Sequence, residues 1–266
     1  MLRPHAPVTD GAPMTTRSTT DPADEVFAAV EAAPVRIISA RGSTEPQSGS
    51  RLLRPIARAV AHRSPIPVAY TELAYPATFR SFEAGYPARF DLGDSPRLGV
   101  TALLALLEDN AHTRPGQDIV LLGWSQGAQV IGDTLDRPEH RLAARDAPAL
   151  SAATAARIAA IALYGNPRFT AGQPYNAGSF DPSLQGTNPR LPGALSQYGN
   201  RMRDYCAADD LACQVGPNST LDGHTSYFIN TMRADGTTFV LQQLAARRRR
   251  QAPAPTPSDR PSEPVL

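Results

Sequence analysis

The chain has 266 residues, 41% hydrophobic content and a net charge of +1, with 26 basic residues set against 25 acidic ones. That is enough apolar material for one domain with a real core, and the even balance gives no pull toward nucleic acid. No stretch reaches the roughly 18 apolar residues that a membrane-spanning helix needs, so no stable membrane insertion is expected. All 26 basic residues are arginine, which reads as the codon bias of a GC-rich genome.

Residues 1–33 read as a flexible N-terminal arm, polar and rich in Pro and Thr, without the apolar centre of a secretory leader. Within it, Val26, Phe27 and Val30 predict one short helix starting at Asp24. Residues 35–40 (Val-Arg-Ile-Ile-Ser-Ala) predict the first core strand, and a polar turn, Arg41-Gly-Ser-Thr-Glu-Pro46, follows it. Leu52, Leu53, Ile56, Ala59 and Val60 recur at helical spacing, with Pro55 acceptable only in a first turn. Residues 66–73 predict a second strand. Tyr75 to Pro87 reads as a long loop carrying exposed aromatics. Asp94-Ser95-Pro96 is a good start for the apolar helix that contains Val100 to Leu107.

Asp118 to Gln129 is the stretch around which the rest is arranged. A buried strand, Ile119 to Leu122, runs into Gly123-Trp124-Ser125-Gln126-Gly127, and Ala128, Val130, Ile131 and Leu135 then recur at helical spacing. A G-x-S-x-G pentapeptide between strand and helix reads as a nucleophile elbow. The sharp turn holds the serine hydroxyl clear of the sheet, and the helix N-terminus favours negative charge developing beside it. Further strands are expected at residues 158–164 and 201–205, separated by a long Gly-, Pro- and Asn-rich loop. Helices are expected after His224 and Thr237. Residues 247–266, which begin with four arginines and continue in proline-rich sequence, read as a disordered tail. Strands alternating with helices imply an α/β fold around a parallel sheet of about five strands.

A serine nucleophile needs a base, and a carboxylate to orient that base. In this topology the chain order is serine, acid, histidine. His5, His62 and His112 precede Ser125, and His140 follows it too closely, which leaves His224. Asp181, Asp204, Asp209, Asp210 and Asp222 are available as the acid. Cys206 and Cys213 bracket two of them, and Asp209 remains a close competitor of Asp210. Seven residues apart, the two cysteines suit a small disulfide, free thiols or half of a metal site; no nearby Cys/His set completes a zinc site, so no metal is expected. A disulfide closing so short a loop would contribute about 2.5 kcal/mol on the loop-entropy model. The oxyanion donors expected are the N–H of Gln126 and the N–H and hydroxyl of Ser43, which lies in the turn after the first strand. Phe79 and Phe82 in one loop, and Val215 and Leu221 in another, are candidate acyl contacts.

Four segments in register, Ala40-Arg-Gly-Ser-Thr-Glu45, Gly123-Trp-Ser-Gln-Gly-Ala128, Tyr164-Gly-Asn-Pro-Arg-Phe169 and Cys206-x-x-x-Asp210-x-x-Cys213 followed by His224, resemble the cutinase family across roughly residues 34–246. The resemblance implies an α/β-hydrolase fold without a large lid and a Ser125–His224–Asp210 triad. It also implies an oxyanion hole at Ser43 and Gln126, a Cys206–Cys213 disulfide, and no cofactor. The family pattern places the acid four residues after the first cysteine, which favours Asp210. The activity implied is hydrolysis of carboxylic esters (cutin, polyester, lipid or short acyl esters) by an extracellular monomer. Alternatives are a phage-type mycolyl-arabinogalactan esterase, an acyltransferase using the same acyl-enzyme, and an inactive binding relative. This chain departs from the family in two places. A second disulfide common in cutinases has no cysteines here, and Trp124 stands where Tyr or His is frequent.

Overall fold

The computed structural model describes residues 24–83 and 89–251. The expected disorder of residues 1–23 and 252–266 concerns segments outside the described residues. In chain order the elements are β1 (Val35–Ala40), α1 (Leu53–Arg63), β2 (Val68–Glu72), β3 (Ser81–Glu83), β4 (Arg89–Asp91), α2 (Ser95–Thr113) and β5 (Asp118–Trp124). There follow α3 (Gln126–Leu135), α4 (Ala152–Arg157), β6 (Ile158–Tyr164), β7 (Asn176–Gly178), β8 (Met202–Cys206), α5 (Leu221–Thr225) and α6 (Met232–Gln251).

Six strands form one parallel sheet in the order β2-β1-β5-β6-β8-β7. β1, β5 and β6 are buried along their whole length, as strands covered on both faces must be; β6 is apolar throughout, whereas β1 carries the buried Arg36 and Ser39 and β5 starts at the buried Asp118. The two-residue period sorts their side chains. Ile38, Leu121 and Ile161 face α2 and α3 together with Leu103, Val130 and Ile131. Ile37, Val120 and Leu122 face α1 and α6 together with Ile56, Val60 and Val240. Chain direction across the sheet reverses between β1 and β5: the chain moves outward from β1 to β2, then crosses back to continue through β5, β6 and β8. Open α/β sheets bind ligands at the carboxyl ends of strands at such a switch point. Ser43 follows β1 and Ser125 follows β5, so both stand there.

Several expectations are corrected. The sheet has six strands because residues 165–200, read as structureless, contain β7, which adds to β8 at the edge. The same segment is anchored by the buried side chains of Phe169, Tyr175 and Tyr198. The Tyr75–Pro87 loop contributes β3, which pairs with β4 as an antiparallel hairpin with Phe82 opposite Phe90. Pro55 does lie in the first turn of α1, and α2 starts at Ser95, but Asp94 does not cap it and pairs instead with Arg97. No α-helix spans Val26, Phe27 and Val30: Asp24 is in a 3-10 turn and residues 25–33 form turns and irregular backbone, with Asp24 held by Arg54 and Arg58, Phe27 stacked on Tyr70 at 4.9 Å, and the Ala28 N–H donating to the Val68 carbonyl. That part of the expected arm is packed on the domain. α6 runs through the arginine cluster to Gln251, beyond the expected start of the tail, and Arg247 pairs with Asp118 at 2.8 Å. Among the described residues no helix is long and apolar enough to cross a membrane.

Candidate active site

Ser125 sits between β5 and α3 with φ 55° and ψ −121°, a region that costs a non-glycine residue on the order of 1–3 kcal/mol. The turn is closely packed by β1 and α3 on either side of it. A Cβ on Gly127 would lie 1.9 Å from the Ala40 carbonyl oxygen, and one on Gly123 would lie 2.8 Å from the Ala128 Cα. Glycine on both sides lets the end of β1 press against the start of α3, and the Ser125 N–H donates to the Tyr164 carbonyl.

The serine hydroxyl lies 2.8 Å from His224 Nε2, and His224 Nδ1 lies 2.8 Å from Asp210 Oδ1. With Nδ1 protonated, Nε2 is the acceptor that faces the hydroxyl. His224 is on α5, whose N-cap Thr220 accepts the Gly223 N–H. Asp210 is fully buried. Burial by itself raises a carboxyl, but the facing His224, its hydrogen bond, the Tyr227 hydroxyl and the Ala212 N–H together hold Asp210 below the usual carboxylate range. The group is therefore ionised and fixed, which is what orienting an imidazole requires.

Asp210 is the acid in contact with His224. Asp209, Asp222 and Asp181 are exposed, while Asp204 is buried but bonded to Asn166. Cys206 and Cys213 form a disulfide that encloses Asp210. Sequence reasoning missed Tyr227. Its hydroxyl donates to Asp210 Oδ2 at 2.6 Å and accepts the Ala207 N–H at 2.8 Å, so both carboxylate oxygens are held.

Ser43 and Gln126, the residues expected to supply the oxyanion donors, both line the cavity beside Ser125. Gln126 is the first residue of α3, so its N–H has no partner inside the helix. Its side chain donates to Ser43 Oγ at 3.2 Å and to the Thr78 carbonyl at 2.8 Å, and accepts from Ser95 Oγ at 2.8 Å. Two residues of the quoted Ala40–Glu45 segment, to which the sequence assigned no role, hold the turn carrying Ser43. The buried Arg41 guanidinium bonds the carbonyls of Glu45, Leu73 and Tyr75. Glu45 accepts the N–H groups of Gly42 and Arg51, and its burial raises its carboxyl despite these bonds. Gly42 is needed because a Cβ there would meet the Trp124 ring at 2.2 Å. That ring stacks on His224 at 5.5 Å and meets Phe228 edge-on at 5.0 Å.

A cavity of about 530 Å³ opens onto Ser125. Phe79, Phe82 and Leu221 line it, at 40%, 43% and 64% exposure, with Phe90, Phe228 and Leu211. Val215 does not line it, and the expectation of an acyl contact there is withdrawn. Its N–H is committed to the Gln185 carbonyl, which fixes the acid loop against the segment behind it. Among the described residues no group of three or more His, Cys, Asp or Glu side chains is gathered as a metal ligand set.

The cutinase family model matches residues 31–244. The chain belongs to the cutinase family. It is 32% identical over 138 residues to cutinase 11 of Verticillium dahliae, covering 51% of this chain and 45% of that protein. It is 30% identical over 148 residues to the probable carboxylesterase Culp3 of Mycobacterium tuberculosis, covering 56% of this chain and 50% of that one. The chain thus spans about half the length of the curated relatives it matches. Among solved structures, the catalytic core domain of acetyl xylan esterase from Trichoderma reesei superposes with a TM-score of 0.64 at 23% identity, covering 79% of this chain and 98% of that one. That likeness shows the cutinase-like α/β-hydrolase fold, with the central parallel sheet described above.

Proposed function

We propose that this cutinase-family chain is a serine carboxylesterase that works through an acyl-enzyme on Ser125, with residues 34–246 as the hydrolase unit. The observation that carries the reading is the continuous relay from the Ser125 hydroxyl through His224 to a buried, ionised Asp210, both links at 2.8 Å. In the first step Nε2 of His224 takes the Ser125 proton as the serine oxygen bonds to the ester carbonyl carbon. The carbonyl π electrons move onto oxygen, which accepts hydrogen bonds from the Gln126 N–H and from Ser43. When the tetrahedral adduct collapses, the bond to the alcohol oxygen breaks and His224 protonates the departing alcohol. Water, deprotonated by the same imidazole, then attacks the acyl-enzyme; the acid is released and Ser125 recovers its proton. Asp210 stays ionised throughout. The scheme balances without a cofactor.

The substrates proposed are short- and medium-chain acyl esters, lipid esters and polyester, because aromatic and aliphatic side chains line the cavity over Ser125. The disulfide beside the acid fits an oxidising, extracellular setting, and a monomer is proposed from the family. The test is hydrolysis of p-nitrophenyl esters from acetyl to palmitoyl. Turnover should favour short to medium chains, and Ser125→Ala should lower kcat by about 10⁵–10⁶-fold. Undiminished turnover in the variant removes Ser125 as nucleophile.

A further inference from the structure

Arg51 lines the cavity over Ser125, and no step of the proposed mechanism uses its side chain. It lies in the turn before α1, where Glu45 Oε1 accepts its N–H at 2.8 Å, so the base of the side chain is fixed. The guanidinium rests over the Phe228 ring at 4.9 Å. Phe228 in turn meets Trp124 edge-on, and Trp124 stacks on His224. Three ring contacts thus connect the arginine to the imidazole. A cation over an aromatic face is steadied by the ring quadrupole and keeps its full charge.

The nearby arginines are committed elsewhere. Arg41 is buried on the carbonyls of Glu45, Leu73 and Tyr75, and Arg54 is paired with Asp24. Arg51 is exposed and has no ion-pair partner among the described residues. Glu45 is the one carboxyl lining the cavity. Its two oxygens accept the N–H groups of Gly42 and Arg51, and burial raises it toward the neutral form. It therefore does little to offset the guanidinium. An otherwise apolar cavity carries a positive charge held as a planar fork of donors. The anion that matches such a fork is a carboxylate, whose two oxygens accept two parallel N–H bonds. Ester hydrolysis makes carboxylates, so each cut in an oligoester leaves a fragment that ends in one.

We propose that Arg51 is a specificity-determining residue that binds a carboxylate at the far end of the ester substrate. The site then favours half-esters of dicarboxylic acids and carboxylate-ended oligoesters over neutral esters of the same length. The inference rests on the esterase reading above. The reacting ester lies over Ser125, the intervening chain runs along the apolar wall, and the anion meets the guanidinium. The carboxylate can belong to the acyl side or to the alcohol side of the ester.

The experiment measures kcat/KM in the parent, Arg51→Gln, Arg51→Lys and Arg51→Glu. The acyl arm uses the p-nitrophenyl half-esters of adipic, suberic and sebacic acids, each referred to the neutral p-nitrophenyl ester of the same chain length. The alcohol arm uses 6-acetoxyhexanoate referred to hexyl acetate. Arg51→Gln should lower the carboxylate-to-neutral ratio about fivefold in one arm, through KM, the size of an exposed ion pair. Arg51→Glu should lower it further, and Arg51→Lys should retain part of it. Added salt should erode the ratio in the parent and leave it flat in Arg51→Gln. The arm that falls tells which side of the ester carries the anion. A ratio that Arg51→Gln leaves alone, or an equal loss on every substrate, overturns the proposal; the second outcome makes the arginine a prop for Phe228 only. A binding readout needs no turnover: adipic acid monoethylamide and the neutral N-ethylhexanamide are followed by saturation-transfer NMR. Signals confined to the carboxylate and abolished by Arg51→Gln, in a parent inactive on every ester, remove the hydrolase reading and keep the Arg51 site. Ester turnover without any preference or signal that depends on Arg51 removes the site and keeps the hydrolase.

Discussion

Ser125 is held by the strand and helix that flank it in sequence, whereas Asp210 and His224 are held by a loop of residues 206–227 folded back on itself. The elbow is a steric construction: the backbone of β1 occupies the space that a side chain at position 127 would need. The loop is a sum of moderate bonds. The Thr220 N–H donates to the Asp209 carbonyl at 2.7 Å, the His224 N–H to the Thr220 carbonyl at 3.3 Å, and the disulfide and Tyr227 close the rest. The contrast implies that the Ser125 end, the proposed nucleophile, is all-or-none, while the Asp210–His224 end can loosen by degrees.

Gly127→Ala strikes the elbow and carries the larger expected effect. Its methyl group would overlap the Ala40 carbonyl, so β1 and α3 must separate and the oxyanion turn must move with them. Urea unfolding should show a loss of about 3 kcal/mol or more, with esterase activity reduced at least a hundredfold in whatever remains folded. A variant as stable and active as the parent would show that the elbow is softer than its geometry implies.

Replacing both cysteines, Cys206→Ser with Cys213→Ser, strikes the loop. The loop-entropy model gives a loss of about 2.5 kcal/mol in stability. Because the N–H groups of Ala212 and Cys213 and the Tyr227 hydroxyl still hold Asp210, kcat should fall only about tenfold. Abolished turnover in a folded double variant would make the disulfide as indispensable as the elbow and erase the contrast.

The same contrast explains what could be read from the chain. β5, the pentapeptide and α3 are contiguous, so one stretch of sequence carries both the strand pattern and the turn chemistry, and Ser125 was legible at once. Asp210 was not separable from Asp209 by spacing, because the two differ in burial and in backbone: Asp209 takes a positive φ of 59° and is exposed while its neighbour turns inward. The family pattern supplied that choice. β3, β4 and β7 were invisible because three residues are too few to show a period; β3 and β4 exist by pairing with each other, and β7 by pairing with the distant β8. Tyr227 reaches a carboxylate 17 residues earlier, and no local signal encodes such a contact. Val215 was misplaced for the same reason, its position being decided by Gln185.

Two buried carboxylates six residues apart sharpen the comparison further. Asp210 is held low by its partners, whereas burial pushes Asp204 up to about 7, against the Asn166 hydrogen bond and Arg190. Their effects on stability have opposite signs. Asp210 contributes above the unfolded carboxyl pKa, and its contribution is lost as pH falls through its depressed folded value. Folded Asp204 keeps its proton between roughly pH 4 and 7 while the unfolded chain has released it. Across that window the folded state binds more protons, so stability declines as pH rises and levels off above about 7. Asp204→Asn keeps the shape and removes the titration. Relative to the parent it should gain stability between pH 5 and pH 8, by at most about 3 kcal/mol, seen as an upward shift of the urea midpoint at pH 8 that shrinks toward pH 5. Parallel pH profiles for the two proteins would mean that Asp204 is ionised in the folded state at neutral pH, with Arg190 and the Asn166 hydrogen bond offsetting its burial.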